Sequence, residues 1–118
     1  MFAFEKLNVW KESRSFVSEI YNLTGNFPKD ELFGLTNQIR RASISISFNI
    51  AEGSARNTAK DQANFYRMAY SSATEVLAAL LIAVDLGYLN QNTLNEDFRP
   101  QIEKITSQLN ALVKAITK

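Results

Sequence analysis

The chain contains no cysteine and no histidine. Disulfides, thiol nucleophiles and the usual zinc sites are thereby excluded. So are imidazole acid–base chemistry and Ser–His hydrolysis. Glycine and proline are scarce, 4 and 2 of 118 residues, and the glycines stand isolated at 25, 34, 53 and 87, so no Gly-rich phosphate loop is present. Few turn formers favour a helical protein. Long apolar runs are lacking too: the longest window, Val76–Val84, is too short to span a bilayer. Met1–Lys6 has no basic start followed by an apolar run, so no signal peptide is visible. A cytoplasmic location without membrane association is the expectation. Net charge is only +1, less than strong nucleic-acid binders often carry.

What is present is ordinary globular material, 46% hydrophobic and 21% charged. The length implies one domain, residues 1–118. The strongest pattern is Glu31–Arg56. Taken as one helix, it places Leu32, Leu35, Ile39, Ala42, Ile46 and Ile50 within an arc of about 80°. A second apolar strip, Phe33, Ile44, Phe48 and Ala51, lies about 150° away. A helix with two apolar strips has neighbours on two sides, and in a small protein the second neighbour is a candidate partner subunit. Between the strips, Gln38, Arg41, Ser45, Asn49 and Glu52 stack along one edge.

Before this stretch, Phe2–Leu7 either tucks against the core or frays. A first helix is predicted over about Asn8–Leu23, capped by Asn8, burying Val9, Phe16, Val17, Ile20 and Leu23, with Trp10 at the rim. Gly25 is expected to end it in the left-handed conformation, and Asp30 to cap the second helix after Pro28. Gly34 is taken as internal to that second helix, and Gly53 as near its C-terminal cap. Thr58-Ala-Lys-Asp61 resembles a capping box for a third helix, about Ala59–Leu86. Its inner face is expected to be Phe65, Met68, Ala69, Ser72, Val76, Leu80, Ala83 and Leu86. Tyr66, Tyr70, Leu77, Leu81 and Val84 widen the apolar arc beyond what an outer helix of a lone bundle needs. Either the helix is central or a partner covers the excess, and a partner is favoured. Phe33, Ile44, Phe48, Tyr66, Tyr70, Leu77 and Leu81 are accordingly the candidate oligomer interface. Gly87 stops the third helix. A fourth keeps Leu94, Phe98, Ile102, Ile105, Leu109, Leu112, Val113 and Ile116 in one stripe, with Pro100 forcing a kink or break near Asp97–Arg99. Short links at 24–30, 54–58 and 87–92 make this an all-α, antiparallel, up-and-down four-helix bundle.

The text LFGLTNQIRRASISISFNIAEGSAR resembles the signature of the four-helix-bundle proteins encoded within intervening sequences of bacterial 23S ribosomal RNA genes. The matching features are Phe27-Pro28, Glu31, Gly34-Leu35-Thr36, Gln38-Ile39-Arg40-Arg41-Ala42, Ser45-Ile46, Asn49-Ile50-Ala51-Glu52-Gly53 and Arg56. Leu7-Val9-Trp10 and Ile20-Tyr21 fit upstream. Phe65, Ala69, Ser72, Glu75 and Leu86-Gly87-Tyr88-Leu89 fit downstream, so the resemblance spans nearly the whole chain. Ser71 departs from it, standing where the pattern usually has glycine. The family is similar to the accessory protein of diversity-generating retroelements, a pentameric basic four-helix bundle that acts with RNA and a reverse transcriptase. The resemblance therefore implies a homo-oligomer, a pentamer, with RNA or ribonucleoprotein as partner. It brings no assigned reaction.

Two constellations carry functional expectations. The antiparallel hairpin of the second and third helices places Arg41 near Ser72 and Glu75, and Asn49 near Gln62–Phe65. Gln38, Arg41, Asn49, Glu52, Ser72 and Glu75 are therefore expected to form a structural polar cluster, Arg41 pairing with Glu75 and Asn49 bonding across the hairpin or to a helix end. A ligand or metal pocket is the sharper alternative, but a di-iron bundle needs Glu-x-x-His pairs and nothing at ligand spacing specifies magnesium. No metal and no cofactor are expected. The second constellation is basic: Arg40, Arg56, Lys60 and Arg67, with Lys60 and Arg67 seven apart on one helix edge. Repeated around an oligomer, such an edge would make a phosphate-binding surface. The expected function is a non-enzymatic binding or scaffold module contacting RNA through this edge. The alternative is a protein–protein adaptor without nucleic-acid binding, and an enzyme using Glu52 or Glu75 comes third.

Overall fold

A computed structural model describes all of residues 1–118. It contains helices and no strand. The three long helices are α1 (Asn8–Thr24), α2 (Leu35–Ser54) and α3 (Ala59–Asp85). The fourth arm is composite: a single turn α4 (Gln91–Thr93), a π-helical turn at Leu94–Phe98, and α5 (Arg99–Ile116). Each helix packs on its neighbour in sequence, and α5 closes the ring against α1. This is the expected up-and-down bundle. The longest helix sets its length, 44 Å against 24 and 21 Å across.

The core follows from helical periodicity. Phe16 and Ile20 of α1, Ile39, Ile46 and Ile50 of α2, Val76 and Leu80 of α3, and Leu94, Ile105 and Leu109 of the fourth arm are at most 1% exposed. Phe98 stacks edge-on to Phe16, with ring centroids 6.5 Å apart. The break foreseen near Asp97–Arg99 takes the form of the π turn. Pro100 has no N–H to give to the carbonyl of Glu96, and the widened turn lets the Arg99 N–H reach back to Leu94 instead. The stripe stays in phase through it: Leu94, Phe98, Ile102, Ile105 and Leu109 are all buried, while Leu112, Val113 and Ile116 are half-buried.

Several local expectations are corrected. Asn8 is the first residue of α1, and Leu7 occupies the cap position without a side-chain hydrogen bond. Gly25 ends α1 in ordinary right-handed conformation, φ −61°. The second helix does not start near Glu31. Lys29–Glu31 is a 3-10 turn, Gly34 is the cap residue, and α2 begins at Leu35. Asp30 is not the capping side chain. Glu31 takes that role, its Oε1 accepting from the Leu35 N–H at 3.2 Å while Oε2 accepts from the Tyr88 hydroxyl at 3.0 Å. A carboxylate over a helix N-terminus is electrostatically favoured there. The contact also ties the first loop to the last, where Phe27 is buried with its ring 5.7 Å from that of Tyr88. The Tyr88 phenol is raised above its ordinary 10.0, first by donating to Glu31, then by burial and the negative charges of Glu31 and Asp30.

Two glycines matter. Gly87, φ +80°, is the only residue with positive φ. The Gly87 N–H bonds to Val84 O and the Tyr88 N–H to Ala83 O, the double bond that closes a helix C-terminus. Gly53 is no cap. It lies inside α2 and is buried, because Tyr66 and Phe65 of α3 press directly on its Cα.

The α1–α2 seam is lined with small hydroxyl residues. Ser13 donates to Trp10 O at 2.7 Å, so in its 2.8 Å contact with Ser47 the donor is Ser47. Thr24 donates to Ile20 O and Ser43 to Arg40 O. Thr36 is the exception: it is 2% exposed and its Oγ1 has no hydrogen-bond partner. Replacing a buried, unsatisfied hydroxyl with a methyl of similar shape removes a desolvation cost. Thr36→Val should therefore stabilise the protein by about 1 kcal/mol, read as an increase of a few degrees in Tm. An unchanged or lower Tm would mean that the hydroxyl finds a partner in solution.

Candidate nucleic-acid interface

The four cations of the basic edge are treated very differently by the fold. Arg40 is half-buried and turned toward the end of α1. Its Nε donates to Thr24 Oγ1 at 2.8 Å and its guanidinium lies 4.5 Å from the Tyr21 ring centre. Arg56 leaves the α2–α3 turn, pairs with Glu52 at 3.2 Å and covers the Phe65 ring at 4.5 Å. Both partners of that pair are largely solvated, so it is worth little. Lys60 and Arg67 are exposed on α3, and neither enters an ion pair. Arg40 is one full helix length from Arg56, about 24 Å at the rise of an α-helix. The structure brings Arg56, Lys60 and Arg67 to one end and edge of the hairpin and leaves Arg40 apart as a clamp on α1.

The polar cluster on the other side of α2 forms with different partners. Gln38, not Arg41, reaches Glu75, donating from Nε2 to Oε2 at 2.7 Å. Ser45 and Ser72 meet across the hairpin at 2.9 Å. Asn49 does not cross. Its amide donates to the carbonyl and hydroxyl of Ser45, at 2.9 and 3.0 Å, within its own helix. Glu52 is held by Arg56 and takes no part. The reason is angular: along α2, Gln38 and Ser45 face the seam, whereas Arg41 is turned about 60° further toward solvent than Gln38. Arg41 still lines, with Gln38, Ser45, Ser72 and Glu75, an open polar cleft of about 420 Å³. No three of the acidic side chains gather into a group able to hold a metal ion.

The candidate oligomer interface divides as well. Tyr66 is only 4% exposed and belongs to the chain's own core; burial raises its phenol above the ordinary value. Leu77 and Val84 pack against that core, and Ile44 is half-buried. Met68 and Leu86, expected on the inner face of α3, are exposed, and small residues, Ala63, Ala73 and Ala79, take the inner positions instead. Alanines let α3 sit close between α2 and α5, so most of its wide apolar arc is satisfied within the chain. The helix as a whole, unlike its longest apolar run, is long and apolar enough to cross a membrane by length and composition, with a mean hydropathy of 1.4 over its best window. Phe33, Phe48, Tyr70 and Leu81 remain in solvent, Phe48 at 67%. Next to Phe48 the N-terminal 3-10 turn, Ala3–Lys6, lies on α2, with Phe4 edge-on to Trp10 at 4.8 Å. The Phe2–Leu7 segment is therefore tucked, although Phe2 itself stays exposed.

A feature that sequence reasoning missed lies between α3 and α5. Tyr66, Arg67, Tyr70 and Ser71 face Leu109, Asn110 and Val113 across a cleft of about 240 Å³. The α3 residues carried a signal, the basic edge and its two tyrosines. Nothing marked Asn110, which is remote in sequence and ordinary in type.

Geometry thus defines a small all-helical bundle with a cationic edge on its central hairpin. A family model described as 23S rRNA-intervening sequence protein matches residues 5–111, and the chain belongs to that family. Its fold is similar to a crystal structure from Bacteroides thetaiotaomicron, a protein of unknown function from the S23 ribosomal protein family. The two are 25% identical with a TM-score of 0.64, over 92% of this chain and 94% of that one. No curated protein matches the chain.

Proposed function

We propose that the protein is a non-enzymatic binding or scaffold module that works as a homo-oligomer and contacts RNA or a ribonucleoprotein through Arg56, Lys60 and Arg67. The observation that carries this reading is the state of Lys60 and Arg67. They share an edge of α3, two helical turns apart, and no carboxylate of the chain neutralises either. Cations held in water without partners are suited to phosphate, which needs charge more than exact geometry. Self-association is supported by the apolar side chains left in solvent, Phe48 at 67%, Met68 at 51% and Ile82 at 50%, and by the resemblance to pentameric bundles. The second reading, a protein–protein adaptor, draws on an apolar groove of about 390 Å³ in which Phe2 and Phe4 face Phe48, Ala51 and Ala55.

Light scattering tests both. The mass of the protein alone should exceed that of one chain. With a structured RNA it should rise further at low salt and return at moderate salt, since counterion release makes phosphate binding strongly salt-dependent. An oligomer indifferent to RNA would favour the adaptor. A monomer would refute self-association.

A further inference from the structure

We infer that the cleft between α3 and α5 takes an unpaired nucleobase, so that the RNA contacted by this edge is single-stranded where it meets Tyr70. The inference rests on the RNA-binding reading above and names the feature that the same edge selects. The cleft holds 240 Å³. Its floor is apolar and fixed: Tyr66 and Leu109 are 4% and 1% exposed. Its rim is polar and unengaged. Arg67 and Asn110 are exposed, and neither side chain bonds within the chain. Tyr70 is 39% exposed, leaving part of its ring for an incoming group.

These are the parts a nucleotide needs. An aromatic ring offers a stacking surface to any base. A side-chain amide presents one donor group and one acceptor, matching the mixed edge of a base. A guanidinium within one turn of the ring takes the phosphate. Lys60, two turns back on the same edge and about 10 Å away, is placed for a second phosphate of the same strand. A duplex hides the faces of its bases inside the stack and offers this cleft only its backbone. The cleft therefore adds a strand preference to a surface whose charge alone would be indifferent to strandedness.

The test is fluorescence anisotropy on the full-length chain at low salt. The probes are a short unstructured RNA and a blunt RNA duplex carrying the same number of phosphates. The single strand should bind more tightly. Tyr70→Ala should weaken it about tenfold, leave the duplex unchanged and leave the salt slope unchanged. Tyr70→Phe should bind as the wild type does, which also controls for folding. Arg67→Ala should weaken both probes and lower the salt slope by about 0.7 to 0.9. Equal or tighter binding of the duplex, or wild-type affinity in Tyr70→Ala, would overturn the cleft assignment while leaving salt-sensitive RNA binding in place. Failure of the wild type to bind either probe would instead remove the RNA reading on which the inference stands.

Discussion

Gly53→Leu should cost the bundle more than any surface change, and even Gly53→Ala should destabilise it. In an ordinary helix interior, alanine is better than glycine by about 1 kcal/mol. Here a Cβ would sit 2.8 Å from Tyr66 Cε1, 3.0 Å from Tyr66 Cδ1 and 3.0 Å from Phe65 Cβ. The ring cannot swing away freely, because Tyr66 is nearly fully buried and belongs to the main core cluster. Overpacking of this kind costs about 1–3 kcal/mol, enough to reverse the propensity gain for alanine and to exceed it for leucine. Since small domains hold roughly 5–15 kcal/mol in total, Gly53→Leu should lower the urea midpoint visibly. A double-mutant cycle assigns the cause. If the clash with the ring is responsible, Gly53→Leu and Tyr66→Ala should together cost less than the sum of the two alone. Strict additivity would show that Gly53 matters for some reason other than Tyr66.

That contact also explains part of what the sequence made legible. The hairpin register follows from helix geometry alone, and the structure honours it: Gln38 meets Glu75, Ser45 meets Ser72 and Gly53 meets Tyr66, all at similar heights. Periodicity likewise identified the apolar stripes, and proline chemistry located the irregular turn before α5. Three things were hidden, each for a physical reason. Periodicity says which residues share a face but not how a wide face is divided between neighbours, so Tyr66 read as interface although it is core. Charge counts do not reveal which cations the fold itself consumes. Arg40 and Lys60 look alike as letters, yet Arg40 is bound to Thr24 and Tyr21 while Lys60 stands in water. Caps were misassigned because several polar residues cluster before each helix, and which one reaches the free N–H groups depends on the loop path. The Phe27 and Tyr88 contacts that set that path for Glu31 join residues some sixty positions apart.

The same distinction between free and consumed cations yields the sharpest functional expectation. Reversing Arg56, Lys60 and Arg67 together to glutamate should abolish salt-sensitive RNA binding without unfolding the protein. All three are exposed, and the one ion pair lost, Arg56 with Glu52, has both side chains largely in solvent, so its loss costs under about 1 kcal/mol. Each phosphate contact contributes about 0.7 to the salt slope for a single strand. Removing three contacts should therefore reduce the slope by about two, and the added negative charges should weaken what affinity remains. The melting curve and the oligomer mass should stay as in wild type, because none of the three lies in the core or on the exposed apolar strip of Phe48. A parallel variant, Arg40→Glu, separates the edge from charge in general. It carries a like reversal but strips the clamp on Thr24 and Tyr21. It should lower the Tm while sparing the salt slope of RNA binding. If Arg40→Glu instead reduced the slope as the triple variant does, the binding surface would run down the α1–α2 side of the bundle rather than along α3. If the triple variant bound RNA with wild-type affinity and slope, the basic edge would have no part in recognition and the exposed apolar strip would be left as the interaction surface.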